Sequence, residues 1–385
     1  MTASPPRQAG VPYLHNLTCV RGIAAWFVVF YHIRSSMPWI PERLHLLFAK
    51  GYLAVDFFFL LSGFVIYLSS HRSIAEQGRS AILPFLGRRL ARIYPLYAVM
   101  LLLTMAFAAL LATTGREPPG YPWGELPLHI LLMQNWGFTP ALSWNHPAWS
   151  ISTEMAAYLL FPLLILGTPI TRASRPALLA GMAGLLALMG WWLSSAGLHN
   201  LGQYIVQYGL VRCLFEFATG ALLCAFWLQG KEGGQRNALL GAGLIAALAG
   251  TFWAIRPEAE LWAFPALMAA LLFLLAEHSR RNEARARTPS LPMRALIYLG
   301  EISYATYLSH FMLFTWFKIA LVHHSGDIRP WKIGVFLLLV LTASIALYHL
   351  VEKPGKKLFT RWFTRKAAAG RYYADPPVVT ENSPS

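Results

Sequence analysis

Long apolar runs recur along the whole of this 385-residue chain and limit the folds that it can adopt. The runs are of the length that a helix needs to cross a bilayer, and Arg, Lys, Pro or Gly bound each of them. A membrane β-barrel would instead show short segments of alternating polarity. With 56% hydrophobic and only 13% charged residues, the chain is too apolar for a soluble domain of this length. The sequence therefore predicts an all-α integral membrane protein, a bundle of about ten transmembrane helices. The predicted spans are residues 17–37, 50–70, 89–112, 147–167, 176–196, 203–228, 237–255, 260–277, 295–319 and 332–352.

The distribution of positive charge predicts the orientation of this bundle. If the N-terminus is cytoplasmic, 22 of the 32 Lys and Arg residues fall in inner segments and 8 in outer segments. Cytoplasmic loops of membrane proteins carry the excess of Lys and Arg, so both termini are predicted to lie inside. The same bias accounts for most of the net charge of +15, and nucleic-acid binding is therefore not expected.

One membrane domain accounts for most of the chain. Residues 1–16 are predicted to form a cytoplasmic N-terminal segment, residues 17–355 the transmembrane domain, and residues 356–385 a basic and then disordered cytoplasmic tail. The longest outer connection, 113–146, is rich in proline and contains the amphipathic stretch 128–138. That stretch is a candidate interfacial or re-entrant segment over an outward-facing site.

Arg21 and His32 lie eleven residues apart within the first span. At about 100° per residue, the two side chains return to within about 20° of one helix face, separated by about 16 Å along the axis. Ionisable residues inside a membrane helix are costly and usually face a cavity or a partner, so this pair is a candidate functional site. The structural alternative is a snorkelling arginine and a histidine bonded to a neighbouring helix.

Two carboxylates are predicted to lie at the depth of His32. Asp56 follows the outer start of the second span, and Glu154 follows the outer start of the fourth. A histidine held by a carboxylate is oriented and can accept a proton near neutral pH. We therefore predict that His32, Asp56 and Glu154 form a catalytic acid–base cluster, although each carboxylate alone could simply bond a helix end.

Four further side chains near this depth are predicted to bind a substrate. Trp149 and Ser150 open the fourth span, while Tyr307 and His310 share one face of the ninth span. His310 is predicted to lie nearer the middle of the membrane than His32, Asp56 and Glu154. No metal site is predicted.

The inner side of the membrane has a cationic character. Arg88 and Arg92 lie four residues apart at the start of the third span, with Arg89 beside them, and Arg21 is expected at the same boundary. Such a cluster suits a ligand with several phosphates, so these arginines are predicted to bind a phosphorylated cofactor. The positive-inside rule would also account for arginines here without any ligand.

The remaining polar features are assigned structural roles. Arg212 and Glu216, at i and i+4 in the sixth span, are predicted to form an intrahelical ion pair. The three cysteines provide no disulfide framework and are predicted to be packing residues. The basic loop 280–294 and the segment 353–366 are predicted to face solvent or lipid headgroups.

A phosphate-binding pocket inside and an acid–base layer outside predict that a group is carried in from the cytoplasm and delivered to an outer acceptor. An acyl thioester of coenzyme A fits that geometry. His32 would then remove the proton of the acceptor hydroxyl or carry the acyl group covalently. The alternative is a proton-coupled transporter or flippase in which His32, Asp56 and Glu154 relay protons; the absence of sequence repeats and the inner arginines count against it.

Six motifs together resemble the acyltransferase-3 family of membrane O-acyltransferases. They are RGIAAWFVVFYH (21–32), GYLAVDFFFLLSGFVIY (51–67), RRLARIYPLY (88–97), WSISTE (149–154), ISYATYLSH (302–310) and VEKP (351–354). One motif alone would be weak evidence, but this ordered set extends over nearly the whole membrane domain.

The resemblance implies ten transmembrane helices in the bacterial inner membrane, with acyl-CoA, commonly acetyl-CoA, as donor. It implies acylation of a hydroxyl of a carbohydrate, glycolipid or similar acceptor, with His32 as the catalytic histidine. Functional roles are also implied for Arg21, for Arg88 or Arg89 with Arg92, and for Glu154. Some relatives carry a C-terminal hydrolase-like domain that this chain is too short to contain, so it is expected to act alone or with a separate periplasmic transferase partner.

Overall fold

A computed structural model describes residues 14–115, 120–230, 235–284, 289–322, 328–361 and 363. The described residues form helices and no strands, and they include eight helical stretches that are long and apolar enough to cross a membrane. This confirms the predicted all-α membrane fold. One of the eight, Glu42–Thr113, contains two of the predicted spans.

The described residues include thirteen α-helices. They are α1 (His15–Ile33), α2 (Glu42–Ala49), α3 (Ala54–Gln77), α4 (Ile82–Thr113), α5 (Leu126–Ile130), α6 (Trp149–Gly167), α7 (Arg175–Ser195), α8 (Ile205–Leu228), α9 (Arg236–Ile255), α10 (Glu260–Ala284), α11 (Leu291–Glu301), α12 (Ser303–Leu321) and α13 (Pro330–Leu347). Several boundaries differ from the prediction: α3 ends at Gln77 rather than at residue 70, and α10 ends at Ala284 rather than at residue 277. The third span begins at Ile82 rather than at residue 89, and the ninth is two helices, α11 and α12, which meet at Ile302.

Helix α1 packs so closely against α11 that the contact has no room for a side chain. A Cβ on Gly300 would overlap the backbone carbonyl of Thr18, and one on Gly22 would lie 2.7 Å from the nitrogen of Gly300. Glycine lets two helix backbones approach in this way. The contact holds Arg21 beside Ser303, at the start of α12.

Helices α3 and α8 make a second close contact, in the centre of the bundle. A Cβ on Gly63 would overlap the carbonyl of Phe217, and a Cβ on Gly220 would overlap the carbonyl of Leu60. Each helix thus supplies one glycine against the backbone of the other. This approach brings the polar side chains of α3 and α8 within reach of each other.

The connection between α4 and α6 enters the bundle. The hydroxyl of Tyr97 donates to the carbonyl of His129 at 2.6 Å, and that of Tyr94 donates to the carbonyl of Ile130 at 3.0 Å. Both tyrosines lie near the middle of α4, so residues 126–148 form a re-entrant segment.

The amphipathic stretch within this segment is mostly not helical. Helix α5 ends at Ile130, and the chain then turns with positive φ angles at Leu132 (59°), Gly137 (93°) and Trp144 (57°). Turns leave backbone and side-chain polar groups to be satisfied inside the bundle. The buried polar residues of the segment are His129, Gln134, Asn135, Thr139, Ser143 and Asn145.

Candidate active site

His32 contacts a second histidine. Its Nδ1 lies 2.9 Å from the carbonyl oxygen of Val28, one turn earlier in α1, and 3.2 Å from the Nε2 of His310 on α12. The two imidazole centroids are 4.9 Å apart. His32 is partly exposed, whereas His310 has no exposed surface.

The backbone carbonyls beside the two rings determine which ring nitrogens carry a proton. A carbonyl oxygen can only accept, so the Nδ1 of His32 carries a proton that faces Val28. The Nδ1 of His310 likewise faces the carbonyl of Thr306 at 3.2 Å. With both rings neutral, the Nε2 of His310 accepts from the Nδ1–H of His32. The Nε2 of His32 is therefore the nitrogen that can take a proton from a substrate.

A chain of two aromatic rings, Phe311 and His146, extends from His32 towards α6. The ring of Phe311 lies 5.4 Å from His32, edge to face, and stacks on His146 at 4.7 Å. His146 lies just before α6, so it connects the re-entrant segment to the histidine pair. Sequence reasoning missed His146, although its position next to the predicted fourth span was an available signal.

The structure corrects the expected contact between Asp56 and His32. Asp56 is fully buried, and its Oδ1 accepts hydrogen bonds from the Nε of Arg212, at 3.1 Å, and from the Nη2 of the same side chain. The close approach of α3 and α8 places this arginine opposite Asp56. The carboxylate that was expected to orient His32 is therefore part of a buried ion pair between two helices.

The predicted intrahelical pair of Arg212 and Glu216 is wrong for the same reason. Arg212 forms its ion pair with Asp56 across the helix contact. Both carboxyl oxygens of Glu216 are buried, and its carboxyl group interacts with that of Asp56. Spacing along one helix could not reveal that a carboxylate on another helix would take this arginine.

Glu154 belongs to a third polar group. Its Oε1 accepts from the hydroxyls of Tyr158, at 2.6 Å, and of Ser62. Ser62 lies six residues beyond Asp56 on α3, which places it about 9 Å further along the helix axis. No described hydrogen bond connects Glu154 with His32. The predicted single layer of His32, Asp56 and Glu154 is thus resolved into three separate groups.

Three of the predicted substrate-binding residues gather at the start of α6. The Oγ of Ser150 lies 2.8 Å from the hydroxyl of Tyr307, which donates to the carbonyl of Pro147 at 3.0 Å. The ring of Trp149 lies 5.8 Å from the guanidinium carbon of Arg212. The fourth predicted residue, His310, is one turn from Tyr307 on α12, with ring centroids 6.1 Å apart.

The four arginines predicted on the inner side have different surroundings. Arg92 forms an ion pair with Glu352, and Arg21 donates to the Oγ of Ser303 at 3.2 Å. Arg88 is exposed, while Arg89 is partly buried. The Nε of Arg89 has no hydrogen-bond acceptor among the described residues, and its charge interacts with Glu154 and Tyr158. Sequence reasoning missed Glu352, which lies within the VEKP motif.

Known proteins resemble this chain over its whole membrane region. A family model described as an acyltransferase domain matches residues 14–349. Acyltransferase MdmB of Streptomyces mycarofaciens is 29% identical over 382 residues, which cover 93% of this chain and 94% of that protein. O-acetyltransferase OatA of Staphylococcus aureus is 25% identical over 377 residues, which cover 90% of this chain but only 57% of OatA.

No solved structure matches the chain. The range matched by the family model runs from α1 to the end of α13 and includes both His32 and His310. The chain belongs to the acyltransferase-3 family of membrane O-acyltransferases.

Proposed function

We propose that this O-acyltransferase takes an acyl group from cytoplasmic acyl-CoA. It transfers the group to a hydroxyl of a carbohydrate or glycolipid at the outer face of a bacterial inner membrane. The observation that carries the proposal is the partly exposed His32, whose Nδ1 is held by Val28 and His310. We assign acetyl as the group because the relative OatA is named an O-acetyltransferase.

The Nε2 of His32 serves as the general base in this proposal. It accepts the proton of the acceptor hydroxyl while the hydroxyl oxygen attacks the thioester carbonyl carbon. The new C–O bond forms, the C–S bond breaks, and the coenzyme A thiolate then takes the proton from Nε2. His32 returns to its starting state, and no net proton is gained or lost.

The donor enters from the inner side along the face of α1. Eleven residues separate Arg21 from His32, which corresponds to about 16 Å of helix rise. Arg89 is the arginine best placed to attract phosphate, because its Nε has no acceptor among the described residues and Arg92 is already paired with Glu352. The coenzyme's phosphates would therefore stay near the inner side while its thioester reaches His32.

The test is acyl transfer by purified protein in nanodiscs, with radiolabelled acetyl-CoA and methyl glucoside as the acceptor. We expect His32→Ala to lower transfer by about 10²- to 10⁴-fold, the range typical for loss of a general base. Thioester hydrolysis should fall with it. His199→Ala, at an exposed histidine between α7 and α8, is the matched control and should retain activity. Normal transfer by His32→Ala at normal expression would refute the role of this histidine.

A further inference from the structure

A small cavity lies between the re-entrant segment and the start of α6. Its volume of about 10 Å³ accommodates one water-sized group. It is too small for a sugar ring, but it has room for a single hydroxyl. The side chains that matter here are His129, Gln134, Ser143, Asn145, His146 and Trp149.

Two buried amides in the cavity wall have fixed orientations. The Nδ2 of Asn145 donates to the carbonyl of Leu308 at 2.8 Å, and the Nε2 of Gln134 donates to the carbonyl of Ala148 at 3.2 Å. Reversing either amide would set its oxygen against a carbonyl oxygen, so both orientations are determined. Each side chain is only 6% exposed.

The oxygens of these amides have no donor. Among the described residues, none donates a hydrogen bond to the Oε1 of Gln134 or to the Oδ1 of Asn145. A buried acceptor left unpaired costs free energy, and a ligand hydroxyl could satisfy it. Both residues line the cavity, so a hydroxyl held there could supply the missing donor.

The neighbouring Ser143 does not supply that donor. Its Oγ lies 2.6 Å from the Oε2 of Glu125 and 2.9 Å from the Nε2 of His129. The single hydroxyl proton goes to Glu125, because a carboxylate can only accept. Ser143 then accepts from His129, so its only proton is already engaged.

The cavity adjoins the histidine pair. His146 lines it and stacks on Phe311 at 4.7 Å, and Phe311 contacts the ring of His32 at 5.4 Å. Trp149, the first residue of α6, forms another part of its wall. The rings of His146 and Phe311 thus connect the cavity with the ring of His32.

We propose that Gln134 and Asn145 form a subsite for one non-reacting hydroxyl of a polyhydroxylated acceptor, which donates to their amide oxygens. The inference rests on the proposed function and deepens it, because it selects acceptors by the presence of a second hydroxyl besides the acylated one. A mono-alcohol leaves both oxygens unpaired and is a poorer acceptor.

The test compares two simple probe acceptors, trans-1,4-cyclohexanediol, whose hydroxyls lie on opposite sides of the ring, and cyclohexanol, with radiolabelled acetyl-CoA and protein in nanodiscs. We expect the wild type to prefer the diol in kcat/KM by about tenfold, which is within the effect of satisfying a buried acceptor. Asn145→Leu should lower kcat/KM for the diol towards that for cyclohexanol and so abolish most of this preference.

Asn135→Leu is the matched control. The amide of Asn135 also donates to a backbone carbonyl, that of Ile205 at 3.2 Å, and its oxygen is also unpaired, but Asn135 does not line the cavity. This variant should keep the preference for the diol. Loss of the preference in Asn145→Leu alone would support the subsite.

Two outcomes would overturn the subsite. Equal kcat/KM for diol and mono-alcohol in the wild type would do so without any variant. A wild-type preference that persists in Asn145→Leu would indicate a structural water only. Failure of the proposed function looks different: neither alcohol would be acetylated, or His32→Ala would be as active as the wild type.

Discussion

The chemistry of His32 depends on the two directions in which its ring nitrogens point. Its Nδ1–H lies between the carbonyl of Val28 and the Nε2 of His310, which leaves its own Nε2 free. A neutral imidazole behind the base fixes orientation but adds no opposite charge to stabilise the imidazolium. His310 is thus a positioning residue that acts through His32.

Two substitutions of His310 separate these contacts. Asn can replace the Nδ1 that bonds Thr306, whereas Gln reaches the position of the Nε2 that bonds His32. We expect His310→Asn to lower kcat by about 10- to 100-fold, as loss of a supporting contact commonly does, with little change in the KM for either substrate. His310→Gln should restore much of the rate. Steady-state kinetics check this, and equal losses in both variants would indicate a general packing role.

Single residues differ in how far sequence could assign them. His32 stands out because an ionisable side chain inside an apolar run must have a partner or a cavity. The partner itself was not predictable. Asp56 and His310 lie on different helices, and only the packed bundle shows that the first bonds Arg212 and the second bonds His32.

Among the helices, the contact of α3 with α8 determines the position of the buried ion pair. Gly63 and Gly220 face the partner backbone in this contact, with no space for a Cβ. Both look like ordinary glycines in the sequence. Apolar length predicts that a helix crosses the membrane, but not which of its faces meets another backbone.

The start of α4 at Ile82 was not predictable, because a proline and a glycine before residue 89 are typical of a loop.

We predict that Gly63→Ala destabilises the protein by about 1–3 kcal/mol, because the added methyl forces α3 and α8 apart. Gly243→Ala is the matched control, since Gly243 also lies within a helix, α9, but a Cβ added there would have nothing within 4 Å. Helix propensity alone should stabilise that variant by up to about 1 kcal/mol. Thermal unfolding in one detergent compares the two, and equal midpoints would contradict the close contact.

For the whole molecule, the fold class was predictable, whereas the contacts that assemble the site were not. Apolar length and composition follow from the bilayer's thickness, so each predicted span overlaps an observed helix. The re-entrant segment has no comparable apolar run from which its position could be predicted. Residues 126–148 are placed by hydrogen bonds to α4, α6 and α12, for example from Asn145 to Leu308. The cavity therefore depends on contacts that only the assembled bundle provides.

The orientation of the molecule can be tested with single cysteines in intact cells. If the bias of 22 inner to 8 outer basic residues sets the topology, residue 199 lies outside and residue 80 inside. His199 and Ser80 are both exposed, in connections between helices, and the native cysteines, Cys19, Cys213 and Cys224, are buried, so background labelling should be low. An impermeant maleimide should label His199→Cys in intact cells and Ser80→Cys only after permeabilisation. The reverse pattern would place the proposed base on the cytoplasmic side, and the acceptor would then have to be cytoplasmic.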